Sequence, residues 1–201
     1  MEISHLSTVA QPSGWVQRFA SLIPRGQVLD LACGTGRNAS YLAGLGYAVL
    51  ALDRNASSFA ALQQQGIDTI EHDLEATDSA HSWPFATRSL AGIVVCNYLY
   101  RPLFPQLLTS LEEGGILIYE TFAQGNAQFG KPSNPEFLLN TNELLEQMRS
   151  VPDIYMQIIA FEDGYVDQPK PAMVQRVCAR RALAASAADR LASAVNIPSE
   201  V

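Results

Sequence analysis

Positive charge is scarce in this sequence. Its 201 residues carry 13 Lys and Arg against 20 Asp and Glu, a formal net charge of −7. A grip on a phosphate backbone depends on clustered cations, so a nucleic-acid partner is disfavoured. Long apolar runs are missing as well. None reaches the roughly 18 residues a membrane-spanning helix needs. The opening "MEISHLSTVAQPSG" lacks both the basic start and the apolar core of a signal peptide. Cysteine is limited to Cys33, Cys96 and Cys178, an odd number, far apart and in no zinc-like spacing. A disulfide framework and a zinc site are therefore disfavoured. Buried, reduced thiols in a cytoplasmic protein without a membrane segment are the expectation.

What is present is apolar and regular. Hydrophobic residues make up 48% and charged residues 16%, the balance of one globular domain with a substantial core. Five runs read as buried strands: "QVLDLA" at 27–32, "AVLALD" at 48–53, "DTIEHD" at 68–73, "GIVVCNY" at 92–98 and "GILIYETF" at 115–122. Most are continuously apolar, as when helices cover both faces of a parallel sheet. Helices are expected over 37–45 and 56–65, each stopped by a glycine, and from Arg101-Pro102 onward. Ser13 is placed to cap an earlier helix with Trp15, Val16, Phe19 and Ile23 on one core-facing stripe. After residue 140 a further helix is expected, with Asn140 and Glu143 as a capping pair. Two more strands follow, within 153–163 and 171–180. The fold class is therefore α/β: a doubly wound, mostly parallel seven-stranded sheet with helices on both faces. Residues 1–181 form this domain, and 182–201 an Ala-rich C-terminal helix and tail.

The glycine pair in "QVLDLACGTGRN" poses the functional question. A phosphate loop of the NTPase kind needs Lys and then Ser or Thr after its last glycine, and Arg37-Asn38 does not supply them. Gly34, Gly36 and Ala39 satisfy the looser dinucleotide pattern. Charge separates the two remaining ligands. Asp30, four residues before Gly34, would repel a pyrophosphate but favour the ammonium and sulfonium of S-adenosylmethionine. Asp53, ending the second run, suits the ribose hydroxyls of either ligand.

These stretches resemble the motifs of the class I S-adenosylmethionine-dependent methyltransferases. "VLDLACGTGRN" is similar to their first motif, "ALDRN" to the acid motif of the second strand, and "EHDL" to the segment that holds the adenine. "VVCNYLYRP" and "LEEGGILIYETF" resemble the fourth- and fifth-strand motifs. "YETFAQGNAQFGKPSNPEFLL" is similar to bacterial tellurite-resistance-type methyltransferases. The resemblance covers about residues 13–180 and implies a Rossmann-like fold. It implies that Asp30 and the backbone of Ala32, Gly34 and Gly36 hold the methionine end. Asp53 would bind the ribose with Arg54 beside it. Asp73 and the Leu74 amide would meet the adenine, and Asn97 and Tyr98 would lie near the methyl group.

The acceptor is less legible. In-line methyl transfer depends chiefly on alignment, and needs a base only when the acceptor must lose a proton. Tyr98, Tyr100, Tyr119, Glu120, His72 and His5 are the candidates, and no catalytic residue is assigned. "NYLY" at 97–100 is not the Pro-Pro-aromatic run of amino-methylating DNA enzymes, and Cys96 lacks the adjacent proline of cytosine-methylating ones. The expectation is a transferase acting on a small molecule, as a monomer or homodimer. Cys33 or Cys96 as ligand to a soft metalloid is the sharper alternative to plain burial. An NAD-dependent oxidoreductase and a non-catalytic cofactor-binding scaffold also remain open. Residues 123–140, with two glycines and two prolines, are expected to form a lid over the acceptor.

Overall fold

The structure, a computed structural model, describes residues 11–76 and 83–182. Seven strands form one sheet: β1 (Gln27–Leu31), β2 (Ala48–Asp53), β3 (Asp68–Glu71), β4 (Leu90–Cys96), β5 (Leu111–Phe122), β6 (Met156–Val166) and β7 (Ala172–Arg181). Their order is β3-β2-β1-β4-β5-β7-β6. The first five run parallel, while β7 lies antiparallel between β5 and β6. The direction of crossover reverses between β1 and β4, and ligands of open α/β sheets sit in the crevice outside such a reversal.

Among the described residues five α-helices cover the sheet: α1 (Gly14–Phe19), α2 (Arg37–Gly44), α3 (Phe59–Gln63), α4 (Phe104–Ser110) and α5 (Glu143–Gln147). Strand alternation sorts the core into two layers. Val28, Ala51, Val94 and Ile118 pack under α1, α2 and α3, while Leu29, Leu52, Val95 and Leu117 pack under α4 and α5. The expected stripe of α1 is buried throughout: Trp15, Val16, Phe19 and Ile23 all join the first layer.

Ser13 caps α1, its hydroxyl accepting from the amides of Trp15 at 3.1 Å and Val16 at 3.4 Å. The same hydroxyl donates to Glu120 Oε1 at 2.9 Å, so the helix start is fastened to the end of β5. The Asn140–Glu143 pair forms half a capping box. Glu143 accepts the Asn140 amide at 2.8 Å, but α5 begins only after Asn142, which turns the chain with φ 60°. β4 stops at Cys96, two residues before the expected end, and leaves Asn97 and Tyr98 in the connection beyond it. The expected C-terminal helix past Ala182, and His5, lie outside the described residues.

Candidate active site

Two strand ends define the crevice. Ala32 follows β1 with φ 53°, and Asn97 follows β4 with φ 58°. Left-handed backbone at two non-glycine residues is costly, and such residues gather where the surrounding structure needs the chain to turn aside. Here the turns open a cavity of about 450 Å³ between the carboxyl ends of β1, β2 and β4. Ala32, Asp53, Arg54, Asp73, Leu74, Asn97 and Tyr98 all line it, with His72, Thr121 and Phe122. Seven of the ten residues expected to hold a cofactor thus share one wall-to-wall space.

Asp53 is the most engaged of them. Its Oδ2 accepts the Gly34 amide at 2.8 Å and its Oδ1 the Asn55 amide at 2.9 Å. A carboxylate has about four acceptor positions, so two remain for a ligand's hydroxyls. Asp73 accepts the Glu75 amide at 3.0 Å and likewise keeps acceptor capacity. Tyr98 is anchored through its carbonyl, which accepts the Tyr119 hydroxyl at 2.8 Å.

The other three expected residues do not line the cavity. Gly34 is exposed with φ 57° and turns the loop so that its amide meets Asp53. Gly36 is left-handed too, with φ 76°, and passes directly under α3, where an added Cβ would stand 2.4 Å from Leu62 Cδ2. Asp30 departs furthest from expectation. It is 1% exposed, lines neither this cavity nor the one beyond Asn97, and accepts the Ala39 amide at 2.9 Å. Strand alternation is the reason: Asp30 shares the face of Val28, beneath the first turn of α2. Burial pushes its pKa up to about 7, although the Ala39 hydrogen bond and the nearby Arg37 charge pull the other way. Asp30 therefore pins the helix that follows the loop.

A second cavity, of about 700 Å³, opens on the other side of Asn97 and Phe122. Ser13, Arg37, Glu120, Lys170 and Arg176 line it. Arg176 Nε lies 2.6 Å from Glu120 Oε2, a close ionic contact without hydrogen-bond alignment. Sequence reasoning missed Lys170 and Arg176, which reach the site only because β7 inserts beside β5. Arg37, next to Gly36, was in view but unassigned.

Cys33 and Cys96 line neither cavity, and both are buried. Burial pushes the Cys33 thiol up to about 12 and the Cys96 thiol higher still, against thiolate character. The metalloid-ligand alternative is not supported. The segment 123–140 is also less free than a lid. The amide of Gln124 donates to the Leu139 carbonyl, that of Leu139 to Phe122, and the Arg101 guanidinium to the carbonyls of Glu136 and Leu138. Its Pro132 and Phe137 edge the first cavity, not the second.

Comparison with known proteins agrees with this geometry. The family model described as "Tellurite resistance protein TehB" matches residues 8–112. A curated protein of Haemophilus influenzae, described as a probable S-adenosyl-L-methionine-dependent methyltransferase TehB, is 33% identical over 106 residues, 50% of this chain and 36% of that protein. The chain thus spans little more than a third of the length of the curated relatives it matches. The crystal structure of TehB from Haemophilus influenzae aligns with a TM-score of 0.66 at 22% identity, over 85% of this chain and 62% of that one. A Burkholderia thailandensis 1,6-didemethyltoxoflavin-N1-methyltransferase, solved with bound 1,6-didemethyltoxoflavin and S-adenosylhomocysteine, aligns with a TM-score of 0.61 at 17% identity, over 84% of this chain and 76% of that one. The shared fold is the Rossmann-like methyltransferase fold.

Proposed function

The chain belongs to the TehB tellurite-resistance family, and from that premise we propose that it is a methyltransferase that uses S-adenosylmethionine to methylate a small-molecule acceptor. One observation carries the proposal: two cavities share Asn97 and Phe122 in their walls, and the first of them also gathers Asp53, Asp73 and Leu74.

The residues of the first cavity fit S-adenosylmethionine. Asp53 has acceptor positions for both ribose hydroxyls, and Arg54 flanks it. Asp73 would accept from the adenine amino group, with the Leu74 amide on a ring nitrogen. The backbone at Ala32, Gly34 and Gly36 would carry the methionine end, held in shape by Asp30 through Ala39. Asn97 and Tyr98 would stand beside the reacting methyl. When bound, S-adenosylmethionine supplies a methyl on a sulfonium: an acceptor lone pair takes the carbon, the C–S pair returns to sulfur, and S-adenosylhomocysteine leaves. The protein's part is alignment and exclusion of water, which alone supply much of the rate for such displacements. Phe122 and Phe137 contribute apolar walls. A proton shed by the acceptor passes to solvent or to an acceptor-side group, and no base is assigned.

The relatives named above do not favour the oxidoreductase alternative. An acceptor screen that follows S-adenosylhomocysteine release tests the proposal. Turnover of a small molecule supports it. Tight cofactor binding with no turnover across the screen would favour the scaffold instead.

A further inference from the structure

The chain as a whole is acidic, yet its second cavity is not. Among the described residues three cations line it, Arg37, Lys170 and Arg176, against a single carboxylate, Glu120. Arg176 is already neutralised by contacts to Glu120 at 2.6 Å and Glu162 at 3.4 Å. Arg37 and Lys170 have no carboxylate partner among the described residues. Arg37 spends one N–H on the Gln11 carbonyl at 3.2 Å, and Lys170 Nζ stands 5.8 Å from the centre of the Phe122 ring. They face the cavity from different elements, the first turn of α2 and the connection between β6 and β7. Two cations without a salt-bridged carboxylate among the described residues thus converge on one cavity in a chain of net charge −7, an arrangement that favours an anionic ligand there.

Resting on the methyltransferase reading, we propose that this cavity receives the methyl acceptor and that the acceptor is a small organic anion. Arg37 and Lys170 hold its acidic group, and its nucleophilic atom points across the Asn97–Phe122 seam. Size argues for an organic body. About 700 Å³ is in the range of cavities that enclose a drug-sized ligand, and far exceeds a bare oxyanion. The lining agrees, because Phe122, Val166, Ala172 and Val174 add apolar surface to the same cavity. The family match does not decide the matter. It ends at residue 112, so Phe122, Lys170 and Arg176 all lie beyond it.

The test is calorimetry on the full chain saturated with S-adenosylhomocysteine, titrated with 4-hydroxybenzoate, 4-hydroxybenzamide, acetate and tellurite. The benzoate should bind at least about tenfold tighter than the amide, the worth of one hydrogen bond to a charged group. It should also outbind acetate, which has the charge without the ring. Lys170→Met, an exposed change in a turn, should erase the acid–amide difference and leave S-adenosylhomocysteine affinity unchanged, and Arg37→Gln should reduce that difference. An amide bound as well as the acid, or a difference untouched by Lys170→Met, overturns the proposal. Acetate or tellurite bound as tightly as the benzoate would make this an inorganic-anion site and overturn the organic part. Failure of S-adenosylhomocysteine itself to bind would instead remove the methyltransferase reading, and the proposal with it.

Discussion

The Gly34 amide donates to the Asp53 carboxylate at 2.8 Å, which ties the glycine loop after β1 to the acid that ends β2. One side chain thus shapes the loop and would also bind the ribose. Asp53→Ala should weaken S-adenosylmethionine by at least about 10-fold, since hydrogen bonds to a charged acceptor are worth about 1.5–3 kcal/mol. Asp53→Asn keeps an acceptor for Gly34 but not the charge, and should fall between wild type and the alanine variant. Unchanged calorimetric affinity in Asp53→Ala would remove this residue from the site.

Gly36 and Gly34 should respond differently to alanine. Both are left-handed, which costs a side chain about 1–2 kcal/mol. At Gly34 nothing stands within 4 Å of an added Cβ, so that backbone cost is the whole effect. At Gly36 the new methyl would meet Leu62 at 2.4 Å, adding about 1–3 kcal/mol of overpacking. The larger loss should shrink when Leu62→Ala is combined with Gly36→Ala, because the two positions share one contact. Additive denaturation energies in that cycle would show that the clash is relieved elsewhere.

The parallel half of this fold was legible because its strands are buried on both faces and read as unbroken apolar runs. The β3-β2-β1 side and the loop between β1 and α2 followed from residues adjacent in sequence. The antiparallel half was harder. β5, β7 and β6 meet through pairings such as Glu120 with Arg176, which periodicity cannot announce across 55 intervening positions. The site divides the same way. Cofactor-side residues such as Asp53 and Asp73 sit at strand ends visible as motifs, whereas Lys170 and Arg176 arrive by topology. Asp30 is placed less directly than its distance along the chain suggests, because the parity of β1 turns its carboxylate under α2.

That burial gives Asp30 a pH signature. Its pKa is raised from an unperturbed 3.8 to about 7, so folding disfavours its charged form. The neutral acid carries no penalty below about pH 4, and stability declines as pH rises towards 7 and levels off above it. The full shift corresponds to at most about 4 kcal/mol. Asp30→Asn keeps an oxygen for the Ala39 amide and removes the charge. The variant should melt near wild type at pH 4 and above it at pH 8. Arg37 and Asp53 act on the same carboxyl in opposite directions, so Arg37→Gln should widen the gap at pH 8. A melting difference independent of pH would show that Asp30 stays ionised throughout.

The last prediction concerns how residues 123–140 are held. Arg101, at the mouth of the β4–α4 connection, donates to Glu143 Oε1 at 2.6 Å and Oε2 at 3.0 Å, and to the carbonyls of Glu136 at 2.7 Å and Leu138 at 2.9 Å. One guanidinium thereby fastens the far end of the segment to the body of the sheet. The near end is fastened by the amides of Ala123 and Gln124, bonded to Met173 and Leu139. Arg101→Met should cost about 3 kcal/mol, the low end for breaking a buried pair, because Glu143 is only 6% exposed while Arg101 is 33% exposed. Replacing Glu143 as well, in Arg101→Met/Glu143→Leu, should recover part of the loss, since no buried charge is then left alone. Hydrogen exchange separates an anchored loop from a lid. In wild type the amides of Ala123, Gln124 and Leu139 should exchange slowly with or without S-adenosylhomocysteine, and in Arg101→Met the Leu139 amide should exchange faster. Slow exchange appearing at all three only when ligand is added would restore the lid and make Arg101 its latch.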